Sequence, residues 1–298
     1  MIMTNVLEQN NSLWHWQASL QLHLALRDKK TRLTRCRHQG PLYVQKPFYP
    51  EGSECAHVYL LHPPGGMVSG DKLDINIELH ESAHSLITTP GAARAYRARP
   101  HTEGMQPTQQ QNLQLSLAKN AILEWFPMET IIYNGAAAEL NTHIELGQGS
   151  TFMGWEVTCL GLPASKELMT EGHFTQRYKI TRDGLPLFVD HLHFDASNQP
   201  LFNNIAGMRG NTVSGFFVVS NESLNPEKNK VLLEKVRTML EEKQWHTQVA
   251  MTDVSGFYIC RYLGSSANEA RKLFTHIWDL LRPEILHKTS CHPRIWKT

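Results

Sequence analysis

Leu73-Asp74-Ile75-Asn76-Ile77-Glu78-Leu79 alternates apolar and polar side chains at every position. A period of two is typical of a β-strand with one buried face and one solvated face. The same alternation recurs over 113–117 and 174–180. Turn sequences rich in Gly, Asn and Asp separate such runs along the first two thirds of the chain. The sequence therefore predicts a mainly β protein.

The spacing of these short strands favours a large multi-stranded β body over alternating strand–helix units. Stacked sheets and a β-solenoid-like coil both fit this spacing, as does a barrel. No exact internal repeat selects the solenoid. We place the β-rich body at residues 1–220.

Two α-helices are predicted near the C-terminus, where the hydrophobic period changes. Asn225-Pro226 provides an N-cap and a first helical residue, and Ser266 with Glu269 has the spacing of a capping box. Arg282-Pro283 is predicted to end the second helix. With two strands between the helices, residues 221–298 form an α/β layer that continues the body as one structural unit.

Composition limits the classes of partner and compartment. The 298 residues carry 29 basic and 28 acidic side chains, a formal net charge of +1, without long runs of one sign. Nothing in this balance indicates binding to nucleic acid or to a membrane surface. Five cysteines without a C-x-x-C pair predict neither a disulfide framework nor a structural zinc site, and we expect a cytoplasmic protein.

A glycine-rich loop at residues 62–71 suggests phosphate binding, but it lacks the Lys-Ser/Thr pair and the following helix of such loops. It leads directly into the alternating strand, so Gly65, Gly66 and Gly70 are interpreted as residues of a tight turn. The sequence also lacks a G-x-S-x-G elbow, an H-E-x-x-H motif and the kinase signatures. These observations favour a binding protein over an enzyme.

One predicted strand places His191, His193 and Asp195 on the same face, where they could ligate nickel or zinc. The alternative is a solvated polar face without an ion. A metal-dependent hydrolase that uses these three residues is kept as a rival hypothesis. Cys55 and His57 form a second, weaker pair of candidate ligands, although a buried thiol beside an unrelated histidine explains them more simply.

Three carboxylates stand among apolar neighbours, where an ionised side chain must be paired, protonated or hydrated. Asp190 shares its strand face with Phe188 and Phe194, whereas Glu156 and Glu124 each adjoin a tryptophan in an apolar run. A water-filled internal passage would satisfy such groups.

Several short motifs occur in a specific order, which is more informative than any one of them. They are Gly40-Pro41-Leu42-Tyr43-Val44-Gln45-Lys46-Pro47-Phe48-Tyr49-Pro50-Glu51, Tyr59-Leu60-Leu61-His62-Pro63-Pro64-Gly65-Gly66, Gly70-Asp71, Thr89-Pro90-Gly91-Ala92, Tyr96-Arg97, Leu123-Glu124-Trp125-Phe126-Pro127, Arg282-Pro283 and Pro293-Arg294-Ile295-Trp296. Together they resemble the UreD (also called UreH) family of urease accessory proteins. One segment, 161–167, departs from the family pattern by lacking its arginine and second glycine.

The resemblance implies a non-catalytic metallochaperone scaffold that is required for nickel insertion into apo-urease. It implies direct binding to UreF, contact with the GTPase UreG through UreF, docking on apo-urease and an indirect link to the nickel donor UreE. GTP hydrolysis would belong to a partner, and the chain would hold no cofactor tightly, only transient nickel(II). A purely structural adaptor without an ion path is the other alternative.

Particular residues follow from the same resemblance. Glu156 and Asp190 match carboxylates of an internal nickel tunnel by their positions within the family motifs, and two further carboxylates, Glu124 and Asp71, are added as candidates for the nickel path. The expected structural motif comprises the loop glycines with Arg94 and Tyr96. Partner contacts are expected at the C-terminal end, at Arg282, Pro283, Arg294 and Trp296.

Overall fold

Strands form most of the regular structure of this protein. The computed structural model describes residues 16–100, 108–197 and 199–297. The strands are β1 (Gln17–Arg27), β2 (Lys30–Gln39), β3 (Tyr43–Val44), β4 (Cys55–Leu61), β5 (Lys72–Leu79), β6 (His84–Thr88), β7 (Ala93–Ala95), β8 (Gln109–Leu117), β9 (Ile122–Phe126), β10 (Thr130–Ile132), β11 (Ala137–Leu146), β12 (Thr151–Leu160), β13 (His173–Arg182), β14 (Leu185–Asp195), β15 (Val213–Ser220), β16 (Val249–Val254) and β17 (Phe257–Gly264). The helices are α1 (Gln199–Asn203), α2 (Pro226–Glu242) and α3 (Ala267–Leu286), and short 3-10 helices occupy Pro163–Ser165 and Arg294–Lys297.

The strands form two large sheets that pack face to face. The outer sheet has seven strands in the order β14-β13-β11-β8-β5-β1-β2. The middle sheet has ten strands, eight of them in the order β16-β17-β15-β12-β9-β6-β4-β3, with β10 beside β12 and β7 beside β10. The prediction of a mainly β fold with stacked sheets is confirmed.

The chain winds between the two sheets, which gives the body a solenoid-like course. From β4 to β13 the longer strands alternate between the middle and the outer sheet, and neighbouring strands of this part are parallel within each sheet. Each turn of this coil is covered by the next, so apolar side chains on the inward faces meet between the sheets. The turns differ in sequence, and the winding therefore leaves no repeat in the chain.

The alternating stretch from Leu73 to Leu79 forms a strand with one buried face, as predicted. In β5 the residues Leu73, Ile75, Ile77 and Leu79 are buried between the sheets, and the polar residues between them are more exposed. Burial of each such side chain stabilises the fold by about 1.5–3 kcal/mol.

A helical layer covers the other face of the middle sheet. Helices α2 and α3 bury a second apolar cluster against it, in which Phe126 stacks on Trp155 with ring centroids 4.1 Å apart and Trp278 packs edge-on. The middle sheet is therefore buried on both faces. Alternate residues of its strands face either the outer sheet or the helices.

Both helices begin where the sequence predicted, but α3 ends later. The side chain of Asn225 accepts a hydrogen bond from the Lys228 amide, and that of Ser266 accepts one from the Glu269 amide. The predicted end at Arg282-Pro283 is wrong, because the helix continues to Leu286. Proline removes one N–H donor, and the burial of the following apolar turn offsets that loss. Within the described ranges, none of the helices has the length and hydropathy of a membrane span.

Candidate functional site

Two adjoining cavities lie in the body. The inner cavity, of about 60 Å³, is lined from both sheets and includes Gln111, Glu156 and Gln176. The outer cavity, of about 220 Å³, extends to the glycine-rich loop. The residues that line both cavities are Leu60, Ile75, Thr89, Ala93 and Gln111. Spaces of this size with polar groups in their walls can hold water.

Glu156 is the carboxylate of the inner cavity. It lies on β12 and points toward the outer sheet, whereas the adjacent Trp155 faces the helices. The Thr142 hydroxyl donates to Oε1 over 2.6 Å, and the Gln176 amide donates to Oε2. Burial raises the pKa of Glu156, the two hydrogen bonds lower it and the charge of Asp190 raises it, so the net shift is upward. Among the described residues, no cation pairs with this carboxylate.

Asp190 belongs to a polar row that starts at Glu156 and continues through Tyr178. The guanidinium of Arg261 on β17 donates to both Asp190 oxygens, over 2.8 and 3.1 Å, and so joins the edge of the outer sheet to the middle sheet. Tyr178 is the cross-strand neighbour of Asp190, and its buried hydroxyl has no partner in the described part of the chain. Burial raises the pKa of Tyr178, as do the charges of Glu156 and Asp190. The row ends at Arg261, whose side chain is 55% exposed.

Asp71 holds a turn together rather than lining either cavity. Its Oδ1 accepts a hydrogen bond from the Trp16 amide over 2.7 Å, and its Oδ2 accepts one from the Val68 amide over 2.8 Å. Gly70, immediately before it, has a φ of 83°, which favours glycine. Both Asp71 oxygens are thus engaged by backbone donors, which leaves this residue with less support as a nickel ligand.

The glycine-rich loop packs closely against β7 and the residue after it. A Cβ on Gly66 would lie 2.5 Å from the ring of Tyr96, so a larger residue does not fit there. The Arg94 guanidinium donates to the Gly65 carbonyl over 3.3 Å. The structure therefore brings these four residues together around a tight turn, and Gly65, Gly66 and Arg94 also line the outer cavity.

Glu124 lies on the opposite face of the middle sheet and has a different environment. One of its oxygens accepts hydrogen bonds from His84 and Arg282, and the other accepts from Trp278 and Arg282, all between 2.7 and 2.9 Å. Arg282 also donates to both oxygens of Glu51. Burial would raise the pKa of Glu124, but the hydrogen bond from His84 and the charges of His84 and Arg282 outweigh it, and the net shift is downward. Glu124 is not among the residues that line the cavities.

Cys55 and His57 both lie in this buried network, but in two separate groups of ligand-type atoms. Cys55 groups with His84 and Glu124, and His57 groups with Glu51 and Cys291. The Nε2 atoms of His57 and His84 each contact a carboxylate oxygen, at 2.7 and 2.8 Å, so each carries the proton and donates it. Arg282 supplies one positive charge that Glu51 and Glu124 share. Nε2 of His57 is therefore occupied by Glu51, whereas Nδ1 of the same buried ring has no partner among the described residues.

His191, His193 and Asp195 are on the exposed side of β14, with His191 and His193 largely solvated. The His193 ring contacts the Thr175 hydroxyl at 2.9 Å, and Asp195 accepts hydrogen bonds from the backbone and hydroxyl of Ser197. The three groups of closely spaced ligand-type atoms in the described ranges do not include this set.

The C-terminal residues expected to contact partners differ in accessibility. Arg282 is fully buried and occupied by two carboxylates, which corrects the expectation that its side chain meets a partner directly. Pro283 and Arg294 are exposed. Trp296 is half-buried and donates to the Thr88 hydroxyl over 3.0 Å. Only part of this set is therefore available at the surface.

Sequence reasoning missed the residues that surround Glu156 and Asp190. Gln176 and Tyr178 fall on the inward face of an alternating strand, so polar groups at buried positions were a usable signal. Thr142 carries the same signal, since it lies between Leu140 and Ile144 on the buried face of β11. Arg261 carries none, because its partner Asp190 is 71 residues away and the two meet only across the sheets.

A carboxylate held by a hydroxyl and an amide inside a β body is suited to receive a cation. The fold and the site together define a two-sheet β protein with a buried carboxylate that no cation of the described residues pairs with. Comparison with known proteins identifies the family. The sequence profile described as UreD urease accessory protein matches residues 17–297. The chain belongs to this family.

Full-length relatives agree with this assignment. The chain is 40% identical over 291 residues to the urease accessory protein UreD of Psychromonas ingrahamii, covering 95% of this chain and 94% of the relative. It is 40% identical over 301 residues to that of a Marinomonas species, covering 100% and 95%. It is 35% identical over 283 residues to that of Trichormus variabilis, covering 95% and 96%. The protein is thus a non-catalytic accessory protein of urease maturation, with a role in nickel delivery.

Proposed function

We propose that this protein guides nickel(II) to apo-urease through the space between its two sheets, with Glu156 as the central ligand. The observation that carries the proposal is the position of Glu156, a carboxylate without a cationic partner that borders an internal cavity. A raised pKa reflects the cost of an unpaired charge, and a passing divalent cation would remove that cost.

The ligands along this path suit an ion that must be released. They are oxygen atoms of carboxylate, hydroxyl and amide groups, from Glu156, Thr142 and Gln176. Oxygen donors bind nickel more weakly than thiolate or several imidazoles do, so an ion held in this way can move on. This is consistent with transient nickel and with no tightly bound cofactor.

The path extends from the glycine-rich loop, past the shared wall of the two cavities, to Glu156 and then to Tyr178 and Asp190. At its far end the Asp190–Arg261 ion pair closes the space between the sheets. Because a carboxylate paired with guanidinium is not free to bind nickel, we propose that this pair opens when an ion passes.

The protein would act in a cytoplasmic complex. We propose that it binds UreF directly, UreG through UreF, and apo-urease, and that the donor UreE supplies nickel indirectly. The C-terminal layer is the proposed UreF contact, and its exposed residues include Pro283, Arg294 and Val231. A groove between α2 and α3, lined by Val231, Met239 and Leu280 with charged neighbours, is part of that surface.

The decisive experiment is maturation of apo-urease with a Glu156→Gln variant. Tagged protein is first co-purified with UreF and UreG, and the nickel content of urease is then measured by mass spectrometry. We expect an intact complex and a several-fold lower nickel content, because the amide keeps the shape but not the charge. Glu139→Gln is the matched control, since Glu139 is a carboxylate on the solvated face of β11.

Each alternative gives a different result. If the complex forms and Glu156→Gln with Asp190→Asn delivers nickel as well as wild type, the protein is an adaptor without an ion path. If the isolated protein holds one metal ion tightly and loses it on His191→Ala, the metal-dependent hydrolase gains support. Failure of the complex to form would overturn the proposed partners rather than the path.

A further inference from the structure

Three side chains of metal-ligand type converge on the solvated face of the outer sheet, and none of them lines either cavity. His23 on β1 and Glu78 on β5 are register partners in parallel strands, so their side chains stand side by side. His80 lies two residues beyond Glu78 and projects to the same side. One ligand atom from each of these three residues lies within 4.8 Å of the other two.

The separations between these atoms match those of ligands around one ion. His23 Nδ1 lies 3.3 Å from a Glu78 oxygen and 3.4 Å from His80 Nε2. Bonds of about 2.0–2.2 Å at tetrahedral angles place neighbouring ligand atoms roughly 3.3–3.6 Å apart. Two imidazole nitrogens and one carboxylate oxygen, with water in the remaining position, form a common ligand set for divalent transition metals.

Hydrogen bonding alone explains the cluster poorly. A good N–H···O bond is about 2.9 Å long, and both separations exceed the usual range. A single proton on His23 Nδ1 can satisfy only one of the two neighbours. The rings of His23 and His80 also face each other at a centroid distance of 5.6 Å and a tilt of 32°.

The backbone holds the cluster in place. The His80 amide donates to the Leu24 carbonyl over 2.8 Å, and the His80 carbonyl accepts from Ala83. The register partner of His23 on its other side is Arg35 of β2, which is an exposed residue. Its long side chain can extend into solvent, so its charge does not prevent a divalent ion from binding.

We propose that His23, Glu78 and His80 form a surface site for one divalent first-row transition-metal ion. Nickel(II) and zinc(II) are the two ions to use as probes. The site is independent of the inner path, because it lies on the opposite face of the outer sheet from Glu156.

The test is equilibrium dialysis of untagged full-length protein against NiCl₂ and ZnCl₂. We expect one ion bound per chain at this site, and a loss of affinity of at least about tenfold in His23→Gln and in His80→Gln. Glu78→Asp should keep part of the affinity, because it retains a carboxylate. The cobalt(II)-loaded protein should show d–d absorption that disappears in the same two variants.

His191→Gln is the matched control, because His191 is also an exposed strand histidine. It should leave the metal content unchanged, as should Glu156→Gln combined with Asp190→Asn. The proposal is overturned if the wild type binds no ion, or if the bound ion persists in the His23→Gln/His80→Gln double variant. Circular dichroism of each variant confirms that the fold is intact.

Discussion

Glu124 and Glu156 occupy opposite faces of the same sheet and have opposite electrostatic environments. Each adjoins a tryptophan in an apolar strand, so their sequence contexts are alike. Glu124 is held by a guanidinium, an imidazole and an indole N–H, and its pKa is lowered. Glu156 has only neutral donors, and its pKa is raised.

The difference separates a carboxylate that the protein itself pairs with a cation from one that we propose as an ion ligand. At Glu124 a permanent cation, Arg282, is supplied by α3, and the network ties that helix to β4, β6 and β9. At Glu156 no cation is supplied by the described residues, and space remains beside the carboxylate. The burial of a carboxylate therefore does not by itself identify a metal path. The charge of the groups that contact the carboxylate distinguishes the two cases.

The largest expected effect on stability comes from removing Arg282, the cation that α3 supplies to Glu124. Arg282→Met leaves Glu124 and Glu51 without their shared partner inside the protein. We expect the free energy of unfolding to fall by about 3–5 kcal/mol, the usual cost of an uncompensated buried charge. Urea denaturation measures it, and a loss below about 1 kcal/mol would show that the network is not structural. Arg294→Met, at an exposed position, is the control.

The same substitution at the two glutamates should have opposite signs. Glu124→Gln removes the charge that Arg282 needs, and we expect a loss of about 2–3 kcal/mol. Glu156→Gln removes an unpaired charge, so stability should be unchanged or higher. Because the folded-state pKa of Glu156 is raised, its ionisation destabilises the fold above the unfolded pKa. The gain from Glu156→Gln should therefore be larger at pH 8 than at pH 5, and equal losses at both sites would refute the comparison.

Acid should first weaken the ion pairs of Arg282, which join α3 to the middle sheet. Burial would raise the pKa of Glu51, but hydrogen bonds from His57 and Arg282 hold it at about 2, against 4.5 as the ordinary value. A depressed pKa stabilises the fold above about pH 4.5 and loses that contribution as the pH falls toward 2. Unfolding free energy should fall by about 1.4 kcal/mol per pH unit for each such carboxylate. Arg282→Met should flatten the dependence of the unfolding free energy on pH. An unchanged slope would contradict the role of Arg282 in lowering the pKa of Glu51.

The sequence was sufficient for the fold class, because alternation and helix caps are local properties. The strands around Ile75 and Leu115 and the helix starts at Asn225 and Ser266 follow from neighbouring residues. The end of α3 did not follow, because the burial of Ile285 and the residue after it is a tertiary effect that outweighs a proline.

The site was accessible to sequence reasoning only in part. Local apolar context marked Glu156, Asp190 and Glu124 as unusual, and all three have specific polar partners. The local sequence could not show which of these carboxylates is paired with a cation, because the pairing residues, Arg282 and Arg261, are distant in the chain. The contact of His23 with Glu78 likewise depends on the pairing of strands that are 55 residues apart, an order that no local pattern reveals.

The smallest effect on stability is expected at the Asp190–Arg261 pair. This pair also tests whether a cationic partner prevents a carboxylate from binding nickel. Arg261→Gln removes the cation from the far end of the row. The pair is partly solvated, so the free energy of unfolding should change by less than about 1 kcal/mol. The freed carboxylate then adds negative charge to the path. In a His23→Gln/His80→Gln background, which removes the surface site, equilibrium dialysis should show nickel(II) binding several-fold more tightly with Arg261→Gln than without it.

The tighter nickel binding expected for Arg261→Gln depends on the freed carboxylate of Asp190. It can therefore be distinguished from the effect of removing any positive charge from the surface. Arg177→Gln, which removes an exposed guanidinium paired with Glu139 on the solvated face of the outer sheet, should leave nickel affinity unchanged. Adding Asp190→Asn to Arg261→Gln should abolish the gain, because the new ligand is lost. If Arg261→Gln alone changes nothing while Glu156→Gln still lowers nickel delivery, the path stands but this ion pair does not close it.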